Sequence, residues 1–179
     1  MYYSSRYASP VGEIVMVSDK DNLVGLWFSG EKYFCSTIDG DIIEDNDADI
    51  LKAGRAWLDS YFAGKAPSPS GLPLAPSGSD FRQNVWRLLM EIPYGQVTTY
   101  GDIAKEMAKR MGKKSMSAQA VGGAVGHNPI SIIIPCHRVI GSSGSLTGYA
   151  GGIHKKLELL KLEGVDLTGM FVPKTGTAL

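Results

Sequence analysis

The first 30 residues carry an apolar pattern that is typical of short β-strands. Residues 13–18 partly alternate between apolar and polar positions, and residues 23–28 form an apolar and aromatic run. The polar segment 19–22 between them is turn-like, so we predict a β-hairpin. The acidic segment 39–49 lacks such a pattern, and we predict an exposed loop there.

A change to helical spacing follows at residue 50. Apolar side chains recur on one face from residue 50 to residue 62, and Gly64 supplies a stop signal. Residues 64–78 then contain four prolines among several serines and glycines, which is typical of a linker. We therefore predict an α/β domain over residues 1–78, with a small antiparallel sheet and one helix.

Past the linker the pattern is mostly helical. Three predicted helices begin at a residue whose side-chain oxygen can cap the first turn: Ser79 or Asp80, Thr99, and Ser115 or Ser117. Asp102 stands three residues after Thr99, as in a capping box. A last helix is predicted over residues 153–160, and the tail 174–179 is predicted to be disordered. The second domain, residues 79–179, is thus predicted to be mainly α-helical.

A short basic turn joins the second and third of these helices, which together resemble a winged-helix-like helix-turn-helix. The positive side chains at the end of the helix before the turn and in the turn itself are Lys105, Lys109, Arg110, Lys113 and Lys114. The helix after the turn, residues 118–125, consists almost entirely of small residues. Such a helix lets its backbone approach a shallow groove closely, but tight helix–helix packing uses the same residues. Spacing alone leaves both interpretations open.

The strongest candidate for chemistry is a thiol beside an imidazole in the segment 132–140. The β-branched run 132–134 predicts a buried strand that ends at Pro135, which would hold Cys136 at the end of a rigid element. His137 is a base that could activate the thiol. Adjacent strand residues point to opposite faces, so His137 could reach Cys136 only across a turn or through a water molecule. A buried, inert cysteine beside a hydrogen-bonded histidine fits the same pair.

Composition narrows the class of protein. The chain of 179 residues has no apolar stretch long enough to span a membrane and no apolar signal core at its N-terminus. Two cysteines, Cys35 and Cys136, do not make a disulfide framework, so we expect a cytoplasmic protein in a reducing compartment.

The net charge of zero divides unevenly along the chain. Residues 1–78 carry 11 acidic and 6 basic residues, a net charge of −5, whereas residues 79–179 carry 7 acidic and 12 basic residues, a net charge of +5. The basic half favours a polyanionic partner.

The segment Pro135-Cys136-His137-Arg138-Val139 resembles the active-site signature of the O6-alkylguanine-DNA alkyltransferases. The resemblance covers about residues 80–165 through four further motifs in the family's order: Val121-Gly122-Gly123-Ala124, Asn128-Pro129, Tyr149 with Gly151-Gly152, and Glu163-Gly164. It implies DNA repair by a methylated-DNA–protein-cysteine S-methyltransferase. The implied protein is a monomer that binds double-stranded DNA from the minor-groove side and flips out the alkylated guanine. It transfers the alkyl group from O6 to its own cysteine, irreversibly and once per molecule, without a cofactor or metal.

The resemblance also implies catalytic roles. Cys136 would be the nucleophile, and His137 would act as its base through a bound water. Glu163 would orient His137 and stabilise its charge, as in a triad. Tyr100 would donate a hydrogen bond to N3 of the leaving guanine, and Asn128 would tie the recognition helix to the active site. Taken singly, each of the last three could also be purely structural.

Substrate and DNA contacts are implied in the same way. The carbonyls of Cys136 and Val139 would accept from the exocyclic amine of guanine, and the amide of Ala150 would donate to O6. The implied pocket wall is Val125, Ser131, Tyr149 and Gly151. The implied DNA contacts are Gln119, Ala120, Gly123, Lys113, Lys114, Ser117 and Arg138.

Two departures from the family pattern stand out. Gln119 occupies the position where many members have an arginine that fills the gap left by the flipped base, so we expect Gln119→Arg to tighten DNA binding or speed repair. Some members bind zinc through N-terminal cysteine and histidine residues, but residues 1–78 contain Cys35 and no histidine. We therefore expect no such zinc site.

Three other functions compete with this one. A lesion sensor on the same scaffold would bind damaged DNA without chemistry, although such relatives lack the cysteine. A Cys–His peptidase or acyltransferase would explain the thiol but not the basic helix-turn-helix. A metal site could use three histidines and the cysteine, but their spacing matches no compact ligand pattern. These residues are His127, His137, His154 and Cys136.

Overall fold

The computed structural model describes residues 1–174, and its first half is a small sheet covered by one helix. The four strands are β1 (Tyr2–Ser9), β2 (Gly12–Ser18), β3 (Leu23–Phe28) and β4 (Ile42–Glu44), in the order β3-β2-β1-β4. β1, β2 and β3 pair antiparallel, which confirms the predicted hairpin. The predicted exposed loop over 39–49 is wrong in part, because β4 adds a parallel edge strand to β1, although its residues are exposed.

Helix α1 (Asp49–Phe62) packs on this sheet through the apolar face that the spacing predicts. The segment 64–78, which the sequence predicts to be a linker, is partly structured and held against β3. It contains a short 3-10 turn, Pro69–Gly71, and it is tied to β3, since the amide of Leu23 donates to Pro73 O at 2.8 Å and the amide of Ala75 donates back to Leu23 O at 2.9 Å. The domain boundary near residue 78 stays a prediction.

The second half consists mainly of four helices, as predicted. They are α2 (Asp80–Met90), α3 (Tyr100–Arg110), α4 (Ala118–Gly126) and α5 (Ile153–Leu162). Ser79, Thr99 and Ser117 cap the first three by accepting a backbone amide of the first turn with their side-chain oxygens. Two short strands, β5 (Thr98–Thr99) and β6 (Val139–Ile140), pair parallel beside the helices. From residue 175 onward, the predicted disordered tail lies outside the described residues.

The prediction of a strand over 132–134 is wrong. These isoleucines lie in turns, and Ile132 has a left-handed φ of 71°. The segment before them pairs with β3 instead, since Leu26 donates to Pro129 O and accepts from the amide of Ser131, both at 2.8 Å. The β-branched side chains reflect burial rather than strand pairing, because all three are at most 1% exposed.

One cluster of buried apolar side chains extends from the sheet of the first half to the helices of the second. It includes Phe28 of β3, Tyr61 of α1, Trp86 of α2 and Ile133. The apolar turn 132–134 therefore lies in a core that both halves share. The residues that follow this turn start from a rigid, buried position.

Candidate active site

Cys136 begins a 3-10 turn, Cys136–Arg138, directly after the buried isoleucines. The residue is 4% exposed, and its Sγ accepts a hydrogen bond from Asn128 Nδ2 at 3.1 Å. The same Nδ2 donates to Ile134 O at 2.8 Å, and Asn128 Oδ1 accepts from the amide of Ile130 at 3.0 Å. Asn128 thus ties the end of α4 to the thiol of Cys136.

The resting state of this thiol is protonated. Burial raises the pKa of Cys136 to about 12, although the hydrogen bond from Asn128 acts in the opposite direction. The thiolate is the nucleophilic form of cysteine, so this site requires a base that removes the proton during the reaction.

His137 is the base nearest to the thiol along the chain, and it is fully buried. Its Nε2 lies 2.6 Å from Glu163 Oε1. Burial lowers the pKa of His137, which keeps the imidazole neutral. Since an ionised carboxylate only accepts hydrogen bonds, Nε2 carries the proton and Nδ1 carries the free lone pair. Nδ1 has no hydrogen-bond partner among the described residues, so it can accept a proton.

Glu163 is surrounded by donors from three parts of the chain. Oε1 accepts from His137 Nε2, from Tyr61 Oη at 2.7 Å and from Arg138 Nη2 at 3.0 Å, and Oε2 accepts from Arg138 Nε at 2.9 Å and from the amide of Gly95 at 3.1 Å. Burial by itself would raise the pKa of Glu163, but His137 and Arg138 outweigh it and lower the pKa to about 2. The carboxylate is therefore ionised at neutral pH.

Arg138 is the one predicted DNA contact whose surroundings do not fit that role. It is 8% exposed, and besides the two bonds to Glu163 it donates to Ile92 O at 2.7 Å. A guanidinium held in this way is not available to a phosphate. The expected DNA contact at Arg138 is replaced by an ion pair in which Arg138 is the charge partner of Glu163.

Tyr100 approaches the site from the start of α3. Its hydroxyl is within 3.1 Å of the carbonyl oxygens of Thr147 and Gly148. Burial and the proximity of Cys136 raise the pKa of Tyr100, which keeps the hydroxyl a donor. Gly148 has φ +82°, and a Cβ there would lie 2.5 Å from Tyr100 Oη. Glycine is required at this position both for the backbone conformation and for the approach of the tyrosine.

The loop that carries the rest of the predicted pocket is partly held by the first half. Ala150 O accepts from the amide of Lys32 at 3.2 Å. Tyr149 is 7% exposed, and a Cβ on Gly151 would lie 2.9 Å from the rings of both Phe28 and Tyr149. The loop therefore closes against β3, and the predicted pocket residues of this loop lie at the interface between the halves.

A buried lysine, Lys156 of α5, is a member of the site that the sequence motifs do not indicate. It is 0% exposed, and Nζ donates to Val139 O at 2.5 Å and to Thr147 O at 3.0 Å. Burial lowers the pKa of Lys156 to about 8. Since a carbonyl has two lone pairs, Val139 O can accept from this ammonium and also from a guanine amine. The sequence does indicate that Lys156 is buried, because it lies at helical spacing from Ile153 and Leu160 on the inward face of α5.

Two residues of the first half also belong to the site without a motif to mark them. The apolar spacing of α1 places Tyr61 only in the core. Glu31 is 7% exposed, accepts from the amide of Phe28 at 2.8 Å, and accepts from Ser131 Oγ at 3.0 Å. Burial raises the pKa of Glu31 to about 7. No local pattern signals either contact, since their partners lie about 100 residues away in the chain.

Val125, the remaining pocket residue, is fully buried on α4.

α4 presents two different faces. Its inner face is buried, and Trp86 Nε1 donates to Ala124 O at 2.9 Å. Its outer face is exposed at Gln119, Ala120 and Gly123, and a Cβ added to Gly123 would point into open space. The small residues of this helix therefore serve close packing on one side and leave a flat, accessible backbone on the other.

The turn before α4 forms a basic surface. Ser117, Lys113 and Lys114 are exposed, and a groove of about 400 Å³ between α3 and α4 is lined by four lysines. These are Lys105, Lys109, Lys113 and Lys114. The groove adjoins the exposed face of α4, so the positive charge and the accessible backbone lie side by side.

The histidines of the candidate metal site are dispersed over different contacts. His127 stacks on Tyr33 with ring centroids 4.1 Å apart, His137 binds Glu163, and His154 is exposed on α5. Residues 1–174 contain no group of three or more histidine, cysteine or acidic side chains that could hold a metal ion. Within the same range, every helix is too short or too polar to cross a membrane.

Two family models match the chain in succession. Residues 1–76 match the description "6-O-methylguanine DNA methyltransferase, ribonuclease-like domain", and residues 80–165 match "6-O-methylguanine DNA methyltransferase, DNA binding domain".

Curated relatives and solved structures agree with these models. The methylated-DNA–protein-cysteine methyltransferase of Methanosarcina barkeri is 48% identical over 91% of this chain and 97% of its own, and that of Haemophilus influenzae is 38% identical over 90% and 86%. A crystal structure of Mycobacterium tuberculosis OGT in complex with DNA is similar with a TM-score of 0.75 and 39% identity, covering 90% of this chain and 91% of that one.

Proposed function

Since the chain belongs to the O6-methylguanine DNA methyltransferase family, we propose that Cys136 is the residue that takes the alkyl group from damaged DNA. The protein is a DNA-repair methyltransferase that transfers methyl groups from DNA to a protein cysteine. One observation carries the assignment to Cys136: its thiol lies on the same 3-10 turn as a neutral, buried His137 that is bound to an ionised Glu163.

The proposed proton path begins at Cys136. The thiol proton passes through a water molecule to His137 Nδ1, and the sulfur attacks the alkyl carbon as the bond from that carbon to O6 breaks. The bonding electrons pass to the guanine, whose charge is neutralised by a proton from Tyr100 at N3. Glu163 stays ionised throughout and stabilises the imidazolium. The His137 imidazolium then loses its proton to solvent, and a proton from solvent restores the hydroxyl of Tyr100.

The pocket for the base is proposed to form between α4, the 3-10 turn and the loop 141–152. The carbonyls of Cys136 and Val139 would bind the exocyclic amine, and the amide of Ala150 would bind O6. In the structure Tyr100 Oη donates to backbone carbonyls of the loop. Donation to guanine N3 therefore requires only that the hydroxyl change its acceptor.

Access to this pocket requires the base to leave the duplex, at a cost of a few kcal/mol. We propose that the exposed face of α4 lies in the minor groove, where a helix with small side chains brings its backbone close to the DNA. Lys113 and Lys114 would bind phosphates beside it. The pocket would then distinguish alkylated from normal guanine, and the protein would need few contacts that depend on the base sequence.

The product is a thioether at Cys136, and its sulfur does not readily release the alkyl group. We therefore propose one turnover per molecule, without a cofactor, by a monomer. The reaction needs a reduced thiol and DNA, which favours an intracellular, cytoplasmic location.

The test is transfer of labelled methyl from O6-methylguanine duplex DNA to the wild type, to Cys136→Ala and to Cys35→Ser, read by intact-protein mass spectrometry. We expect one methyl group on the wild type and on Cys35→Ser and none on Cys136→Ala. Turnover beyond one equivalent would refute the stoichiometric mechanism. Binding without transfer would indicate a lesion sensor, and labelling by acyl-type electrophiles together with indifference to O6-benzylguanine would indicate an acyltransferase.

A further inference from the structure

A residue of the first half reaches the catalytic carboxylate. Tyr61 of α1 is 0% exposed, and its hydroxyl donates to Glu163 Oε1 at 2.7 Å across 102 residues of sequence. We propose that Tyr61 is a positioning residue that holds the Glu163 carboxylate toward His137 and tunes how strongly it attracts the imidazole proton. This inference rests on the proposed role of His137 as the base, and it assigns the first half of the chain a part in the reaction.

The hydroxyl occupies a specific place among the donors of Glu163. Arg138 binds both carboxylate oxygens, whereas Tyr61 and His137 bind the same one, Oε1. Tyr61 Oη also lies 3.4 Å from His137 Nε2. Three donors, from Tyr61, His137 and Arg138, share the electron density of Oε1, so the tyrosine hydroxyl limits how strongly this oxygen attracts the proton on Nε2.

The ring of Tyr61 has little freedom to swing away. It stacks on Trp57 with centroids 5.5 Å apart, meets Phe62 edge-on at 5.2 Å, and meets Tyr94 edge-on at 5.9 Å. Trp57 is in turn held by its indole Nε1, which donates to Ser68 O at 3.0 Å. This packing fixes the hydroxyl relative to Glu163, which is what a positioning role requires.

Tyr61 stays protonated over the working pH range. Burial and the negative charge of Glu163 raise the pKa of Tyr61. The hydroxyl therefore donates to Glu163 at every pH at which the protein works, and it is not itself a proton carrier.

Loss of the hydroxyl has a defined sign. Without it, Oε1 becomes a stronger acceptor for Nε2–H, and the pKa of His137 rises. The base must be neutral to act, so the acid limb of the rate profile moves to higher pH. The other charged or titratable groups that face His137 and Glu163 are unchanged by this substitution: Cys136 and Arg138 on the 3-10 turn, Lys156 on α5, and Tyr94.

The test compares Tyr61→Phe with the wild type and with Tyr7→Phe in the full-length protein. Tyr7 provides a matched control, because its hydroxyl donates to a carboxylate at the same 2.7 Å, but that carboxylate belongs to Asp59 and not to Glu163. Single-turnover transfer from O6-methylguanine duplex DNA is measured from about pH 5 to about pH 9. For Tyr61→Phe we expect a rate about 3- to 10-fold lower at neutral pH and an acid limb shifted to higher pH, with both unchanged in Tyr7→Phe.

A second measurement does not depend on the reaction. NMR titration of the three histidines reports His137 directly, with His127 and His154 as internal references. We expect the His137 midpoint to move upward in Tyr61→Phe and the references to stay. An unshifted His137, or a lower rate with an unshifted acid limb, would show that Tyr61 only packs and would overturn the inference. Absence of transfer in the wild type would instead overturn the proposed function.

Discussion

The hydrogen-bond network around Glu163 and the outer face of α4 differ in how their polar groups are satisfied. Inside, one carboxylate accepts five hydrogen bonds from four residues, and the imidazole it holds is fully buried. Outside, Gln119 and the lysines of the basic turn are exposed to solvent. The interior is thus organised before any substrate arrives, whereas the contacts that we propose for the exterior form only when DNA binds.

This difference separates two kinds of measurement. A defect in the interior should slow transfer from any substrate, including the free base O6-benzylguanine. A defect on the exterior should weaken DNA binding and leave the free-base reaction unchanged. Four predictions test the interior or the exterior, in order of decreasing effect.

Glu163→Gln has the largest expected effect. The amide cannot stabilise an imidazolium, so we expect transfer to slow by about 100-fold or more on both DNA and free base. Arg138 is left buried without its charge partner, which should lower the free energy of unfolding by about 3 to 5 kcal/mol. Rates are measured in single turnover and stability by denaturant titration.

Glu158→Gln is the matched control for Glu163→Gln. Glu158 lies on α5 and pairs with Lys161 at 2.9 Å, but this pair is exposed. We expect a change in stability within about 1 kcal/mol and an unchanged rate. Similar losses in both variants would contradict the special status of Glu163.

The second prediction concerns stability against pH and contrasts two buried carboxylates. Arg138 and His137 lower the pKa of Glu163, whereas Glu31 has neutral donors and burial raises its pKa to about 7. A raised folded pKa binds protons more tightly than the unfolded chain does. The contribution of Glu31 is therefore fully present below its ordinary pKa of 4.5 and is lost as pH rises through about 7.

Glu31→Gln should remove this dependence. The difference in unfolding free energy between wild type and variant should change by an amount on the order of 3 kcal/mol between acidic and neutral pH, with the wild type losing ground as pH rises. Denaturant titrations at several pH values provide the measurement. A difference that stays constant with pH would show that Glu31 ionises normally.

The third prediction probes the exterior through salt. In the double variant Lys113→Ala with Lys114→Ala, the slope of log affinity for DNA against log salt should become shallower by about 0.9 for each phosphate that a lysine no longer neutralises. Transfer from O6-benzylguanine should keep its rate. Lys52→Ala, in the first half, serves as the control, and an equal change of slope there would assign the effect to overall charge.

Gln119→Arg should have the smallest effect. An added cation at the exposed start of α4 should tighten DNA binding by roughly fivefold at most, because exposed charges contribute about 1 kcal/mol or less. Fluorescence anisotropy with a labelled duplex measures the affinity, and Gln119→Ala controls for loss of the amide. An unchanged or weaker affinity, with an unchanged repair rate, would count against placing Gln119 beside the flipped base.

Local patterns along the chain predicted the elements well. Capping side chains at Ser79, Thr99 and Ser117 mark the starts of three helices. The partly alternating segment 13–18, the polar turn after it and the apolar run 23–28 mark the hairpin. These signals work because a cap or an alternating strand depends on residues within a few positions of each other. The same dependence explains the failure at 132–134, where β-branched side chains reflect burial in a turn.

The active-site motif and its neighbours were likewise visible in the primary structure, because chemistry of this kind requires particular residue types in order. The partners of the charged groups were not visible. Arg138 pairs with Glu163, while Tyr61, Glu31 and Lys156 enter the site from positions whose local patterns indicate only core or surface. A buried charged side chain must pair with a group that the packed halves place beside it. Folding brings together residues about 100 positions apart in the chain, so local patterns do not identify that group.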